Sequence, residues 1–513
     1  MALFESLLAL LFVSIVLLKI SGHIGVPYPT MLAFAGACVA ALPWVPEIDM
    51  QPRLALALFI APALLDAAYD LPPRELRRDW LPLTWLALIA VILTTAAVAW
   101  LAWAWEGMPL AAAIALGAIV APPDAAAAAA VLTKFPLPRR TMAILQGESL
   151  LNDATALLIF TAAVALATWQ ENSVVDMIPS LLVAAPGGVV VGIAFARLYF
   201  LLKQWLGQTL TARVSEFVVT FGTWVIAEHL RVSPILAVVA FAMAAAHYGP
   251  ERQTARDWVH SYAIWELVVF VLNVLAFLLM GLQARTILAR LDRTELWDAI
   301  GFAATVLALV IVVRIVWVMI GTLIPRLFQR RDASQWTTTR EAVIISWCGM
   351  RGLVTLATAF ALPSGFPFRD VIVLSAFIVV LGSLILQGLT VGFLIKVLRL
   401  EPDNSLDVEI SKARGAMVDA ALASLQDHTG DAADAVRAEY KAMKVVSKDR
   451  ANPQADTEHD RLRIDAICAQ RDLITKLRQG GQISDDAFHR LEEELDWAEL
   501  HASPREDLEL LDA

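Results

Sequence analysis

Apolar residues fill most of the chain in stretches of about twenty, the length that carries a helix across the hydrocarbon core of a bilayer. Short basic, glycine- or proline-containing strings separate them. Before Leu400 the pattern predicts about thirteen spans, at residues 4–20, 26–45, 54–71, 80–105, 109–134, 140–168, 177–203, 213–231, 233–248, 260–283, 295–325, 340–362 and 368–399. Beyond Leu400 the pattern becomes polar with helical periodicity, over 408–425, 461–477 and 487–500 at least. There Leu462, Ile464, Ile467, Ile474 and Leu477 keep one apolar stripe, so these helices are expected to pack on each other or on a partner subunit, with Gly480-Gly481 as a turn. The expected fold class is an all-α polytopic membrane protein, with a transmembrane domain at 1–400 and an acidic helical cytoplasmic domain at 401–513 that is regulatory or oligomerising.

Composition agrees with this division. The 513 residues are 58% hydrophobic and 18% charged, too apolar for a soluble chain of this length. Residues 401–513 hold 26 acidic and 14 basic side chains, leaving 24 and 26 before them, so the net charge of −10 belongs to the tail. The first span has no basic residues before it and no small-residue cleavage site after it, and reads as a helix rather than a secretory signal. Cys38, Cys348 and Cys468 lack metal or disulfide spacing. A nucleotide-binding glycine pattern and a basic nucleic-acid patch are both missing from the sequence. These features point to a polytopic membrane protein, with the lipid bilayer as partner and no cofactor or nucleic acid.

Lysine and arginine in short loops stay cytoplasmic. If the first span runs inward, 18 of the 26 basic residues before Leu400 fall on the cytoplasmic side, among them Arg74, Arg77, Arg78, Arg139, Arg140, Arg326, Arg330 and Arg331. Six face outward, and Arg314 and Arg351 lie within spans. The expected topology has the N-terminus outside and the tail in the cytoplasm. Trp80, Trp100, Trp103 and Trp105 read as interfacial anchors.

Two spans are interrupted. Pro122-Pro123 in the fifth removes the N–H groups that would bond the carbonyls of Ala118 and Ile119, and Asp124 then leads the alanine run 125–130 at the positive start of a half-helix. Gly349 and Gly352 flank Met350 and Arg351 in the twelfth. The two spans run in opposite directions, as members of an inverted repeat do, although a simple kink and close packing explain the same residues locally.

Charge within the spans is costly, about 2.5–3.5 kcal/mol for an acid near the bilayer centre, so each such group needs a partner or a task. From the helical rise, Asp153 lies ~20 Å from Arg140, Asp124 ~15 Å from Lys134, Arg314 ~18 Å from Arg326 and Arg351 ~16 Å from Arg340, all near the midplane. In the sixth span, GESLLND at 147–153, Ser149 and Asp153 are four apart with Asn152 adjacent and can share a face. Glu148 is five residues from Asp153, roughly 140° around the axis, and points elsewhere. Asp153, Asp124, Ser149, Asn152 and carbonyls near Pro122 offer the oxygen ligands a hard monovalent cation prefers. A carboxylate out of bulk water holds either a proton or a cation, and competition for that one group couples two ions. A structural ion pair is the plainer reading of any of these acids, and it suits Glu148 with the buried arginines. Asp66, near Pro62, reads as a third acidic ligand or as a wetted cytoplasmic-side residue. Glu266 and Asn273, seven apart, read as interhelical hydrogen bonds.

The strings ALFIAPALLDAAYDLPPRELRR, APPDAAAAAAVLTKFPLPRR, LQGESLLNDATALLIF, SWCGMRGLVTLATAFALP and ILQGLTVGFLIKVL resemble, in order and spacing, the monovalent cation:proton antiporter-1 family of bacterial sodium/proton exchangers over roughly residues 1–400. The resemblance implies a thirteen-helix protomer with inverted repeats and two unwound crossing helices, usually a homodimer, whose core moves against a dimerisation domain in alternating access. It implies Asp153 as the shared ion and proton carboxylate, with Asn152 as its neighbour in place of the second Asp of electrogenic relatives, hence electroneutral exchange. Asp124 and Ser149 are implied as further ligands of sodium, Asp66 stands where Glu is usual, Glu148 is implied to pair with Arg314, and Arg351 to stabilise the unwound twelfth helix. Pro123-Asp124-Ala125 departs from the usual Thr-Asp-Pro, and with Asp66 this bears on ion preference. The reading is a sodium/proton antiporter of the bacterial cytoplasmic membrane serving pH homeostasis. Potassium/proton exchange is the alternative of the same class, and a cation channel or ion-sensing membrane receptor that of another.

Overall fold

The computed structural model describes residues 2–24, 26–40, 54, 56–69, 85–132, 139–168, 174–206, 210–248, 255–283, 287–288, 293–328, 338–399, 405–449, 458–480 and 482–502. Among them there is helix and no strand. Arg74, Arg77, Arg78, Trp80, Lys134, Arg330, Arg331 and Gly481 of the sequence reading lie outside the described residues. Two compact units divide the chain, residues 1–401 and 402–512.

The first unit is built of α1 (Ala2–Ile24), α2 (Tyr28–Ala40), α3 (Ala61–Tyr69, entered through a π-helical turn at Leu56–Ile60), α4 (Ala90–Glu106, entered through a π-helical turn at Trp85–Ile89), α5 (Leu110–Val120), α6 (Ala125–Leu132), α7 (Arg139–Thr168), α8 (Val174–Leu206), α9 (Leu210–His229), α10 (Pro234–Tyr248), α11 (Ala255–Leu282), α12 (Arg293–Phe328), α13 (Thr339–Trp347), α14 (Leu353–Phe360) and α15 (Arg369–Leu398). Among the described residues, six stretches of helix are by themselves long and apolar enough to cross a membrane: Ala87–Glu106, Ile144–Ala167, Val183–Leu206, Ile264–Leu282, Leu296–Thr322 and Arg369–Leu398. Shorter apolar helices, such as Leu110–Val120 and Pro234–Tyr248, pack among them.

Local chemistry sets several helix ends. Thr338 and Glu341 form a capping box that starts α13, the threonine side chain accepting Glu341 N–H and the glutamate accepting Thr338 N–H. Ser233 Oγ accepts Leu236 N–H at 3.3 Å, and Pro234, which has no N–H to lose, takes the first helical position of α10. Helices α2 and α11 meet through Gly36 and Gly281, where a Cβ on either residue would overlap the other helix's backbone.

The core of this unit joins Leu116, Ile119, Phe302, Ile344, Met350 and Val380 from four helices and the 348–352 segment. A second cluster joins Leu64 and Leu65 of α3 to Ala154 of α7, Phe241 of α10 and Ala357 of α14. On the outside, Trp205 is 81% and Phe393 72% exposed, a surface suited to lipid rather than water. Trp100, Trp103 and Trp105 are exposed as well, whereas Glu266 is exposed and Asn273 buried on α11.

The second unit holds α16 (Ser405–Ser424), α17 (Asp431–Asp449), α18 (Glu458–Gln479) and α19 (Asp485–Ala502). Helix α17 is additional to the three predicted stretches. Ile467, Ile474 and Phe488 are buried between α18 and α19, and Arg471 reaches Asp496 at 2.5 Å and Glu499 at 2.6 Å. Leu462 is 62% exposed and so falls outside the stripe in which the sequence placed it, because α18 buries its apolar face only where α19 lies against it.

Candidate ion site at two facing helix breaks

Helix stops at Val120 and restarts at Ala125, and stops again at Trp347 and restarts at Leu353. The two breaks satisfy each other. In an unbroken helix Val120 O would accept the N–H of Asp124, but that N–H donates instead to Met350 O at 2.7 Å. The abandoned carbonyl is taken up by Arg351, whose Nε donates to Val120 O at 3.1 Å and Nη2 to Ala121 O at 3.2 Å. Its Nη1 donates to Gly349 O. Arg351 is 1% exposed, a cation held at the carbonyl end of α5, where the helix dipole favours positive charge. Pro122 and Pro123 have no N–H to offer the carbonyls of Ala118 and Ile119, and the arginine engages the next pair, Val120 and Ala121, whose usual donors at 124 and 125 lie beyond the break.

Asp124 performs the reverse service at two helix starts. Its Oδ1 accepts Ala127 N–H at 3.2 Å, capping α6, and its Oδ2 accepts Leu353 N–H at 3.0 Å, capping α14. Gly352 is what permits this approach, since a Cβ there would overlap the carboxylate. Ser383 Oγ on α15 accepts the N–H of Arg351 at 3.0 Å and donates to Val380 O.

Helix α7 brings the polar string against these breaks. Ser149 Oγ donates to Pro123 O at 3.2 Å. One turn on, Asp153 is 4% exposed, and its Oδ1 has no hydrogen-bond partner among the described residues. Asp66 is half-buried on α3, whose Leu64 and Leu65 share a core cluster with Ala154 beside Asp153.

Glu148 faces another way and is fully buried. It receives Arg314 Nη1 at 2.6 Å on one oxygen and Nη2 at 3.1 Å on the other, a two-pronged ion pair between α7 and α12. Arg314 also donates to Ile345 O at 3.2 Å, and a Cβ on Gly349 would collide with its side chain. Asn152 Nδ2 donates to Glu148 Oε1 at 3.3 Å. Its amide thus joins the ion pair rather than the serine and aspartate beside it, across the same four-residue spacing that separates Ser149 from Asp153. Ser383 is the other participant not singled out beforehand. Its signal was a hydroxyl within an apolar span.

The arrangement offers buried carboxylate, hydroxyl and carbonyl oxygens, a donor set for a hard cation. Among the described residues no cluster of three or more histidine, cysteine and acidic side chains could hold a metal ion. The family model described as "Sodium/hydrogen exchanger, transmembrane" matches residues 8–397. An uncharacterised Na(+)/H(+) exchanger of Mycobacterium tuberculosis is 29% identical over 508 residues, covering 94% of this chain and 93% of that protein. A sodium, potassium, lithium and rubidium/H(+) antiporter of Bacillus subtilis is 26% identical over 504 residues, covering 93% and 75%. Among solved structures, the sodium proton antiporter MjNhaP1 of Methanocaldococcus jannaschii superposes with a TM-score of 0.60 at 17% identity, covering 78% of this chain and 100% of that one, a likeness of fold. With a family match running nearly the length of its first unit, the chain belongs to the transmembrane sodium/hydrogen exchangers.

Proposed function

We propose that the chain exchanges sodium for protons one for one across the bacterial cytoplasmic membrane, by alternating access, with cation and proton competing for Asp153. The observation that carries this reading is the division of labour on α7. Of the two buried acids there, Glu148 is bonded to a guanidinium, whereas Asp153 has an oxygen without a hydrogen-bond partner among the described residues. A buried carboxylate without a fixed counter-charge is neutralised by a mobile one. Ser149 and Asp124 contribute further oxygens, and the neutral Asn152, engaged with Glu148, leaves Asp153 as the titrating carboxylate of the pair, which supports electroneutral exchange.

In this reading the chain crosses thirteen times, works as a homodimer, and places its N-terminus outside and residues 401–513 in the cytoplasm as a regulatory or oligomerising domain. Potassium is the second substrate to weigh, because the Bacillus subtilis relative is named for it among four cations and because Asp66 and Pro123-Asp124-Ala125 reshape the ligand set.

Proteoliposomes loaded with a pH dye test the proposal. Sodium added outside raises internal proton exchange in the native chain without requiring a membrane voltage, and Asp153→Asn abolishes it. Full exchange in Asp153→Asn, or cation current without proton movement, overturns the reading.

A further inference from the structure

Gln387 on α15 is fully buried, and neither its Nε2 nor its Oε1 has a hydrogen-bond partner among the described residues. A carboxamide carries two donors and two acceptor lone pairs, and more than nine in ten buried polar groups are bonded to something. Polar contacts lie at the neighbouring positions of α15. One turn earlier, Ser383 holds the N–H of Arg351. Thr30 of α2 donates to Leu384 O at 3.0 Å, which leaves the lone pairs of its hydroxyl. The next residue, Gly388, has no side chain, and the place where a Cβ would stand lies 2.9 Å from Thr30 Oγ1 and 3.7 Å from Met350 Sδ. This short face of α15 therefore borders the 348–352 break on the side of Met350.

We propose that Gln387 anchors an internal water site beside Met350, and that this water eases rearrangement of the 348–352 break by offering its backbone an alternative partner. The break is tied to α15 by the bond from Arg351 N–H to Ser383 Oγ, which must loosen if the break is to move against that helix, and to the 121–124 break by the bond from Asp124 N–H to Met350 O. A buried water makes two to four hydrogen bonds, as the carboxamide and the Thr30 hydroxyl allow, and can follow such a change where a fixed side chain cannot.

Hydroxyl-radical footprinting by radiolysis of the full chain in nanodiscs tests the site, because radicals made from bound water oxidise buried neighbours. Met350 and Met108 are both fully buried, so exposure to bulk does not separate them. In the native chain Met350 oxidises at least about threefold faster than Met108, Gln387→Leu brings the two rates together, and Gln387→Asn, which keeps the carboxamide, retains most of the difference. Equal rates in the native chain overturn the water site whether or not the variants fold. In the proteoliposome assay Gln387→Leu lowers the maximal exchange rate with the sodium KM unchanged, and an unaltered maximal rate overturns the part given to the water in the cycle. This second arm rests on the exchange reading. Absence of exchange in the native chain would count against that reading and leave the footprinting result standing.

Discussion

The carboxylate of Asp124 accepts the backbone N–H of Leu353 across 229 positions of sequence, and Arg351, two residues before Leu353, donates to the carbonyls of Val120 and Ala121. Each broken helix thus supplies the side chain that completes the other. In a bilayer, where open backbone groups cannot turn to water, this reciprocity lets two helices be interrupted at the same place.

Removing that carboxylate leaves two helix starts uncapped. Asp124→Ala is expected to cost about 1 kcal/mol for each cap. Asp124→Asn, with one acceptor oxygen left, is expected to lose about half as much, measured by thermal unfolding in detergent. Gly352→Ala should lower folded yield more than Asp124→Asn, because its Cβ must displace the carboxylate from Leu353. Equal stability of Gly352→Ala and the native chain counts against the close approach.

The Glu148–Arg314 pair is buried on both sides, so losing one member strands a charge. Glu148→Gln or Arg314→Met is expected to cost about 3–5 kcal/mol and to reduce folded yield sharply. The double reversal, Glu148→Arg with Arg314→Glu, should restore yield in part only, because the bond from Arg314 to Ile345 O is lost with the guanidinium. A reversal no better than either single change would separate the two residues.

If one carboxylate serves both ions, protons and sodium compete. Lowering the pH on the sodium-loading side should raise the apparent KM for sodium while leaving the rate at saturating sodium unchanged. A fall in the saturated rate at constant KM would place the proton elsewhere than Asp153.

Asp66 tests ion preference. Lengthening it by one methylene, as Asp66→Glu, is expected to shift the ratio of sodium, lithium and potassium KM values while changing the maximal rate little. Ratios identical to the native chain's would remove Asp66 from the ligands and leave it as the wetted residue of its other reading.

Hydropathy alone carried the helical architecture, since an apolar run of about twenty residues has few stable forms other than a helix in lipid or core. Helical geometry alone also separated Glu148 from Asp153, because five residues turn the side chain well around the axis. The same geometry underread Asn152, whose four-residue step back to Glu148 matches the step from Ser149 to Asp153. A charged, ion-paired acceptor draws the amide. In the tail, periodicity found the stripe of α18 but not its extent, since α19 covers Ile467 and Ile474 and leaves Leu462 outside.

What the sequence determined by itself was thus the presence of helices, their interruptions, the angular separation of Glu148 from Asp153 and the charge of the tail, all of which depend on neighbours within a few turns. Which interruption faces which, and which arginine meets Glu148 across 166 positions, could not come from spacing: the family resemblance implied the pairing with Arg314, and the tertiary structure shows its geometry. Local spacing holds no record of helix neighbours. Here they follow from apolar packing over the whole unit, and the buried polar atoms then take the partners that packing puts within reach.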